Sequence, residues 1–174
     1  PGGADAPALR PPQLDAAMRT RGGPNALIQM NHPRGNNGML TNMKVDTLTG
    51  ASHGDPVINR MAPDPKATAD DTRLFGSDFD ALEVENGFSP STEILNDWFV
   101  FLSRGLVRTG TAVSDTHNAF TSPSGYGRTF VKLGVDTVDR FDGAAMTAAL
   151  KAHRAVGSNG PFLTVTAQKL DGAG

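Results

Sequence analysis

Apolar and polar positions follow two rhythms along this chain. In SPSTEILNDWFVFLSRG, Ile94, Leu95, Trp98, Phe101 and Leu102 recur at helical spacing and form one apolar stripe. Ser91 stands where an N-cap belongs, Glu93 falls in the first turn, and Gly105 is a fitting stop. A second helix is expected in DGAAMTAALKAHRAVGS, with Asp142 as N-cap and Gly157 as stop. A shorter one is expected in QLDAAMRTRGG, where Leu14, Ala17 and Met18 share a face and Gly22-Gly23 end it.

Other segments have strand character. Residues 26–30 form a continuous run with one polar break, the pattern of a strand covered on both faces, and Pro33 ends it. FDALEVENG reads as a second strand closed by Asn86-Gly87, TGTAVSD as a third, and RTFVKLGV as a fourth. In GPFLTVTAQKL, Phe162, Thr164 and Thr166 alternate with Leu163, Val165 and Ala167, which predicts a fifth strand over residues 160–170. Residues 35–76 keep no period and are rich in Gly, Asn, Asp and Pro, so a long loop is expected there. Such a loop is either a lid or an exposed insertion. Helices and strands mainly alternate, which argues for an α/β protein with largely parallel strands. Residues 1–12 read as a flexible lead-in, 13–170 as one domain and 171–174 as a tail.

Composition narrows the picture. At 174 residues and a formal net charge of -2, the chain suits a single domain with a real core. Near-balanced charge gives no footprint for nucleic acid or an anionic membrane surface. No apolar run is long enough to cross a bilayer. The absence of Cys removes disulfides and thiolate metal sites, and does not fix the compartment. The opening PGGADAPALRPPQ has no Met and the close LDGAG resembles a linker, so we expect a piece of a longer protein, with any export signal upstream.

Three acid or histidine positions share a placement. His32 follows the first strand, Glu83 lies in the second, and Asp115 and His117 follow the third. Ligands gather at the carboxyl ends of strands in parallel α/β sheets and barrels. Residues two apart on a strand share a face, so Asp115 and His117 can aim together at a metal. Imidazole with carboxylate suits zinc, manganese or iron. Plainer readings exist for each. A His before Pro is commonly a loop residue, Asp-x-His can cap a turn, and Glu83 can be an exposed edge residue with Glu85 as its polar neighbour on the same face. His53 reads as a loop residue and His153 as a solvent-facing residue of the last helix. The GxSxG spacing occurs as GASHG at residues 50–54, inside the expected long loop rather than between a strand and a helix, so a serine elbow is unsupported; no P-loop or dinucleotide fingerprint is present.

IQMNHPRG, FDALEVENG, GTAVSDTHN, GYGRTFV and SNGPFL, in this order, resemble the PHP (polymerase and histidinol phosphatase) metallohydrolases, and more narrowly their carbaryl-hydrolase-like, or CehA/McbA-like, branch. The resemblance runs roughly from Leu14 to Val165. It implies a distorted (β/α)7 barrel, of which this chain is the C-terminal part, with two or three divalent ions (Zn, Mn or Fe) at the strand ends. It implies metal ligation by His32, by the pair Asp115 and His117, which also carry the catalysis, and by Glu83, whose role is ligand, outer support or structural. Asn86 and Arg128 match positions that face substrate, and Arg34 would clamp an anionic group. The family's earlier His ligands would precede His32, and the residues before it contain no His. The expectation is therefore a partial metal site, weak or absent metal binding, and no activity from this chain alone. The intact parent would hydrolyse phosphoesters, or carbamate or amide esters, of a small-molecule substrate. The alternative is a non-catalytic PHP-like binding or accessory domain. Expected partners are the missing N-terminal part of the domain or a second copy, with neither nucleic acid nor membrane.

Overall fold

The computed structural model describes residues 11–36, 38–49, 76–87, 89–120, 124–135 and 137–166. Most of the lead-in, His53 with the rest of residues 50–75, residues 167–170 of the expected fifth strand, and the tail lie outside them. In chain order the elements are helix α1 (Pro11–Gly22), strand β1 (Gln29–Met30), the one-turn helix α2 (Met39–Asn42), strands β2 (Ala81–Asn86) and β3 (Ser89–Pro90), helix α3 (Thr92–Ser103), strands β4 (Thr109–Val113) and β5 (Arg128–Val131), helix α4 (Gly143–Lys151) and strand β6 (Ala155–Ser158). The class is α/β.

Strand β2 is the middle of the main sheet. β1 pairs parallel with its first half, and β4 pairs parallel along its whole length. β3 turns back antiparallel beside the far end of β2, through Glu85↔Pro90 and Asn86↔Ser89. The parallel arrangement is thus confined to three strands, because β5 and β6 form a separate antiparallel ribbon. A side chain fastens that ribbon to the sheet: the Thr129 hydroxyl accepts from the Ala112 N–H at 3.0 Å and donates to the Ala112 carbonyl at 2.9 Å. Gly127 permits the close approach, since a Cβ there would strike the Val113 carbonyl.

Helix α3 follows its local signals. The Ser91 side chain accepts from the Ile94 N–H, and the chain leaves the helix through Gly105 at φ +76°. Its buried face is Ile94, Asp97 and Phe101. Ile94 and Phe101 join Ile28, Met30, Leu40, Met43, Val45, Phe79 and Leu82 in one core, with Phe79 edge-on to Phe101 at 5.7 Å. Leu40, Met43 and Val45 come from the segment expected as an irregular loop. Each such side chain, removed from water, contributes about 1.5–3 kcal/mol.

Two expectations are corrected. Leu14 and Met18 of α1 are exposed, so its apolar face does not hold it to the domain. Arg19 contributes instead, bonding both Asp78 oxygens, Asp80 Oδ2 at 2.7 Å and the Ala26 carbonyl at 2.9 Å. The last helix among the described residues ends at Lys151, earlier than the pattern implied; the last strand among them is residues 155–158, and residues 160–166 of the expected fifth strand are not in a strand. His153 takes a left-handed φ of 58° just past the helix, which frees the following residues to pair with β5. Residues 161–166 run on outside any strand, with Phe162 packed edge-on against Phe130 at 4.9 Å and Leu163 and Val165 exposed. No helix among the described residues is long and apolar enough to cross a membrane.

Candidate functional site

The carboxyl ends of β1, β2 and β4 carry the candidate residues. β1 and β4 flank β2, and two strand spacings of about 4.8 Å separate them. His32 and Asp115 nevertheless meet, with His32 Nε2 3.9 Å from Asp115 Oδ1. Both residues stand just beyond their strands with left-handed backbones, φ 46° and 47°. His and Asp tolerate this region better than most residues, and here it turns both chains inward over the end of β2.

Glu83 rises between them from β2, with its side chain only 2% exposed. Its Oε1 accepts from the His32 backbone N–H at 3.2 Å and from Asn86 Nδ2 at 3.0 Å, and lies 3.0 Å from His32 Nδ1. Asn86 Nδ2 also lies 3.1 Å from His32 Nδ1. Among the described residues Glu83 Oε2 has no hydrogen-bond partner. The exposed-edge reading of Glu83 is corrected, because β2 is central. Glu85 is also buried, and burial pushes its carboxyl above the ordinary range. The two acids do not act as neighbours on one regular face. The register with β4 slips at Val84, so Glu83 pairs with Thr111 and Glu85 with the adjacent Ala112. Such a bulge breaks the two-residue alternation.

His117 is mostly exposed at 73%, with Nδ1 2.6 Å from the Asp115 carbonyl and 3.8 Å from Asp115 Oδ1. In the turn after β4, Asn118 Oδ1 accepts from the Phe120 N–H.

Arg34 and Arg128 are engaged within the protein. Arg34 forks onto Asp97, which also accepts from the Thr47 hydroxyl. Arg128 donates to the carbonyls of Gly125 and Gly160, and ties the GYG turn to the SNGP turn. Sequence reasoning missed Asp97, although a signal existed. It falls three residues after Ile94 and four before Phe101, on the buried stripe, where a carboxylate needs a cation. His153 is exposed, as expected, but stands just past the last helix rather than within it, with Nδ1 2.8 Å from the Thr109 hydroxyl at the start of β4.

For two donors about 2.0–2.2 Å from one ion, a separation of about 3–4 Å is the natural span. His32 Nε2 and Asp115 Oδ1 fit it at 3.9 Å. Among the described residues no group of three or more His, Asp or Glu is arranged to hold a metal ion. The donor set fits one side of a site rather than a closed one. No family model matches the chain, and neither a curated protein nor a solved structure matches it.

Proposed function

We propose that this chain carries one side of the metal site of a PHP-type metal-dependent hydrolase, on the C-terminal part of a barrel. Phosphoesters are the first substrate class and carbamate or amide esters the second. The observation that supports this reading is the approach of His32 and Asp115 at the carboxyl ends of two strands that do not touch. His32 would bind a divalent ion through Nε2 and Asp115 through Oδ1, with His117 beside them. Further ligands are needed, and the resemblance assigns them to strands before β1. A bound ion supplies water activation near neutral pH and polarises the oxygen of the bond to be cleaved. Asp115 is placed to handle a proton at its carboxylate, and Glu83 and Asn86 hold the ring of His32.

A second reading, a PHP-like binding or accessory domain, is favoured by one observation. The guanidinium groups of Arg34, expected to clamp an anion, and of Arg128, which the resemblance turns toward substrate, bond protein groups instead.

The test is hydrolysis of bis(p-nitrophenyl) phosphate with Zn2+ or Mn2+, comparing the chain, preceded by whatever sequence its parent supplies, with His32→Ala, Asp115→Asn and His117→Ala. The hydrolase reading expects each variant to lose at least about tenfold in kcat/KM, the scale of a lost metal ligand or proton handler. Wild-type rates in all three would remove these residues from the chemistry and leave the binding-domain reading.

A further inference from the structure

We propose that Glu83 is a positioning residue, buttressed by Asn86, that fixes the His32 ring in the tautomer with the proton on Nδ1 and turns a bare Nε2 toward Asp115. The proposal rests on the metal-site reading above and adds how the ring is prepared.

The geometry allows two arrangements. In one, His32 Nδ1 carries the proton and donates to Glu83 Oε1 at 3.0 Å, while Asn86 Nδ2 donates to the same oxygen at 3.0 Å. In the other, Nδ1 is bare and accepts from Asn86 Nδ2 at 3.1 Å. The second sets the Nδ1 lone pair 3.0 Å from a carboxylate oxygen with no proton between them. An ionised carboxylate only accepts. Water can soften that repulsion at a surface, but the Glu83 side chain is almost wholly buried. The first arrangement gives the His32 Nδ1–H and the Asn86 amide an acceptor in Glu83 Oε1, whereas the second leaves a ring lone pair facing that oxygen.

The His32 N–H also donates to Glu83 Oε1, so one carboxylate oxygen grips residue 32 by backbone and ring together. That double grip acts on a residue with a left-handed backbone, where the ring direction depends on such support.

His117 obeys the same rule through a different acceptor. Its Nδ1 lies 2.6 Å from the Asp115 carbonyl, an oxygen that cannot donate. Both candidate ligand imidazoles therefore carry their proton on Nδ1 and keep Nε2 bare. A ring nitrogen bonded to a carboxylate or carbonyl, with the other left free, is the arrangement that raises ligand basicity.

The experiment is two-bond 1H–15N NMR of the 15N-histidine-labelled, metal-free chain at about pH 8, where an ordinary imidazole is neutral. His32→Gln assigns the ring. His153 is an internal reference: the Thr109 hydroxyl donates to the Leu150 carbonyl, so it can only accept from His153 Nδ1. His32 is expected as the Nδ1–H tautomer in the wild type and in Asn86→Ala. In Glu83→Gln, whose amide can donate or accept, a mixture with Nε2–H is expected, and zinc affinity is expected to fall about 10–100-fold. His32 found mainly as Nε2–H in the wild type would overturn the proposal, and so would a ring unmoved in a folded Glu83→Gln. The wild-type spectrum needs no variant to fold. The Nδ1–H result together with wild-type hydrolysis rates in His32→Ala, Asp115→Asn and His117→Ala would defeat the metal-site reading while leaving the positioning of the ring intact.

Discussion

Arg34 grips Asp97 with two parallel bonds, Nε to Oδ2 at 2.6 Å and Nη2 to Oδ1 at 2.8 Å, under the loop that carries His32. The pair is largely buried, and breaking one side leaves an uncompensated charge. Asp97→Ala is therefore expected to cost about 3–5 kcal/mol in urea unfolding. Arg34→Met combined with Asp97→Leu should recover a large part of that. An Asp97→Ala protein as stable as the wild type would show the pair is not retained in solution.

Asp80 gives a pH dependence of one sign. Burial raises its carboxyl, but bonds from Arg19 and the Ile28 N–H and the charges of Arg19 and Lys151 more than offset this, so it lies below the ordinary range. A depressed folded pKa adds stability above the unfolded value of about 3.9, and that stability is lost as pH falls through the folded value. Asp80→Asn should be less stable than the wild type at neutral pH, with the gap closing below about pH 4. Denaturant midpoints across that range check it, and a gap independent of pH would exclude the ionised Asp80 as its source.

Glu85 gives the opposite sign. Burial raises its carboxyl, so the folded state prefers the protonated form. This favours folding in acid and is lost as pH rises from the unfolded value of about 4.3 through the folded one. Glu85→Gln is expected to stabilise the protein at neutral pH and to change little near pH 4. Thermal melts at the two pH values measure the difference, and a destabilised Glu85→Gln at pH 7 would point to a partner for the carboxylate.

The segment around α2 should show two kinds of leucine. Leu40 is fully buried, whereas Leu48 is 66% exposed. Leu40→Ala is expected to cost about 2–5 kcal/mol and Leu48→Ala less than about 0.5 kcal/mol, read from urea midpoints. Equal effects would mean that this stretch does not pack on the core as a unit.

How much was legible depended on the range of the interaction. The caps of α3 and α4 were readable, because Ser91 and Asp142 bond N–H groups two or three residues away. The strands at 81–86 and 109–113 were readable from short apolar runs closed by turn residues. The candidate cluster was legible as a set of strand-end residues. Its internal order was not: nothing local distinguishes Glu83 as a ligand from Glu83 as the acceptor for His32 Nδ1. The roles of Arg34 and Arg128 were equally hidden, since a guanidinium shows its partner only when remote chain arrives beside it.

By itself the sequence determined the elements whose stabilising contacts lie within a turn or two. Tertiary structure decided the rest. The alternation in residues 160–170 promised a strand, yet β6 formed at 155–158, where β5 was available to pair. A strand exists only with a partner, and local pattern does not say which segment the partner meets. Glu83 could be exposed or buried until β1 and β4 took both edges of β2. The 3.9 Å approach of His32 to Asp115 likewise belongs to the sheet, because two residues 83 positions apart in the chain meet only through the strand between them.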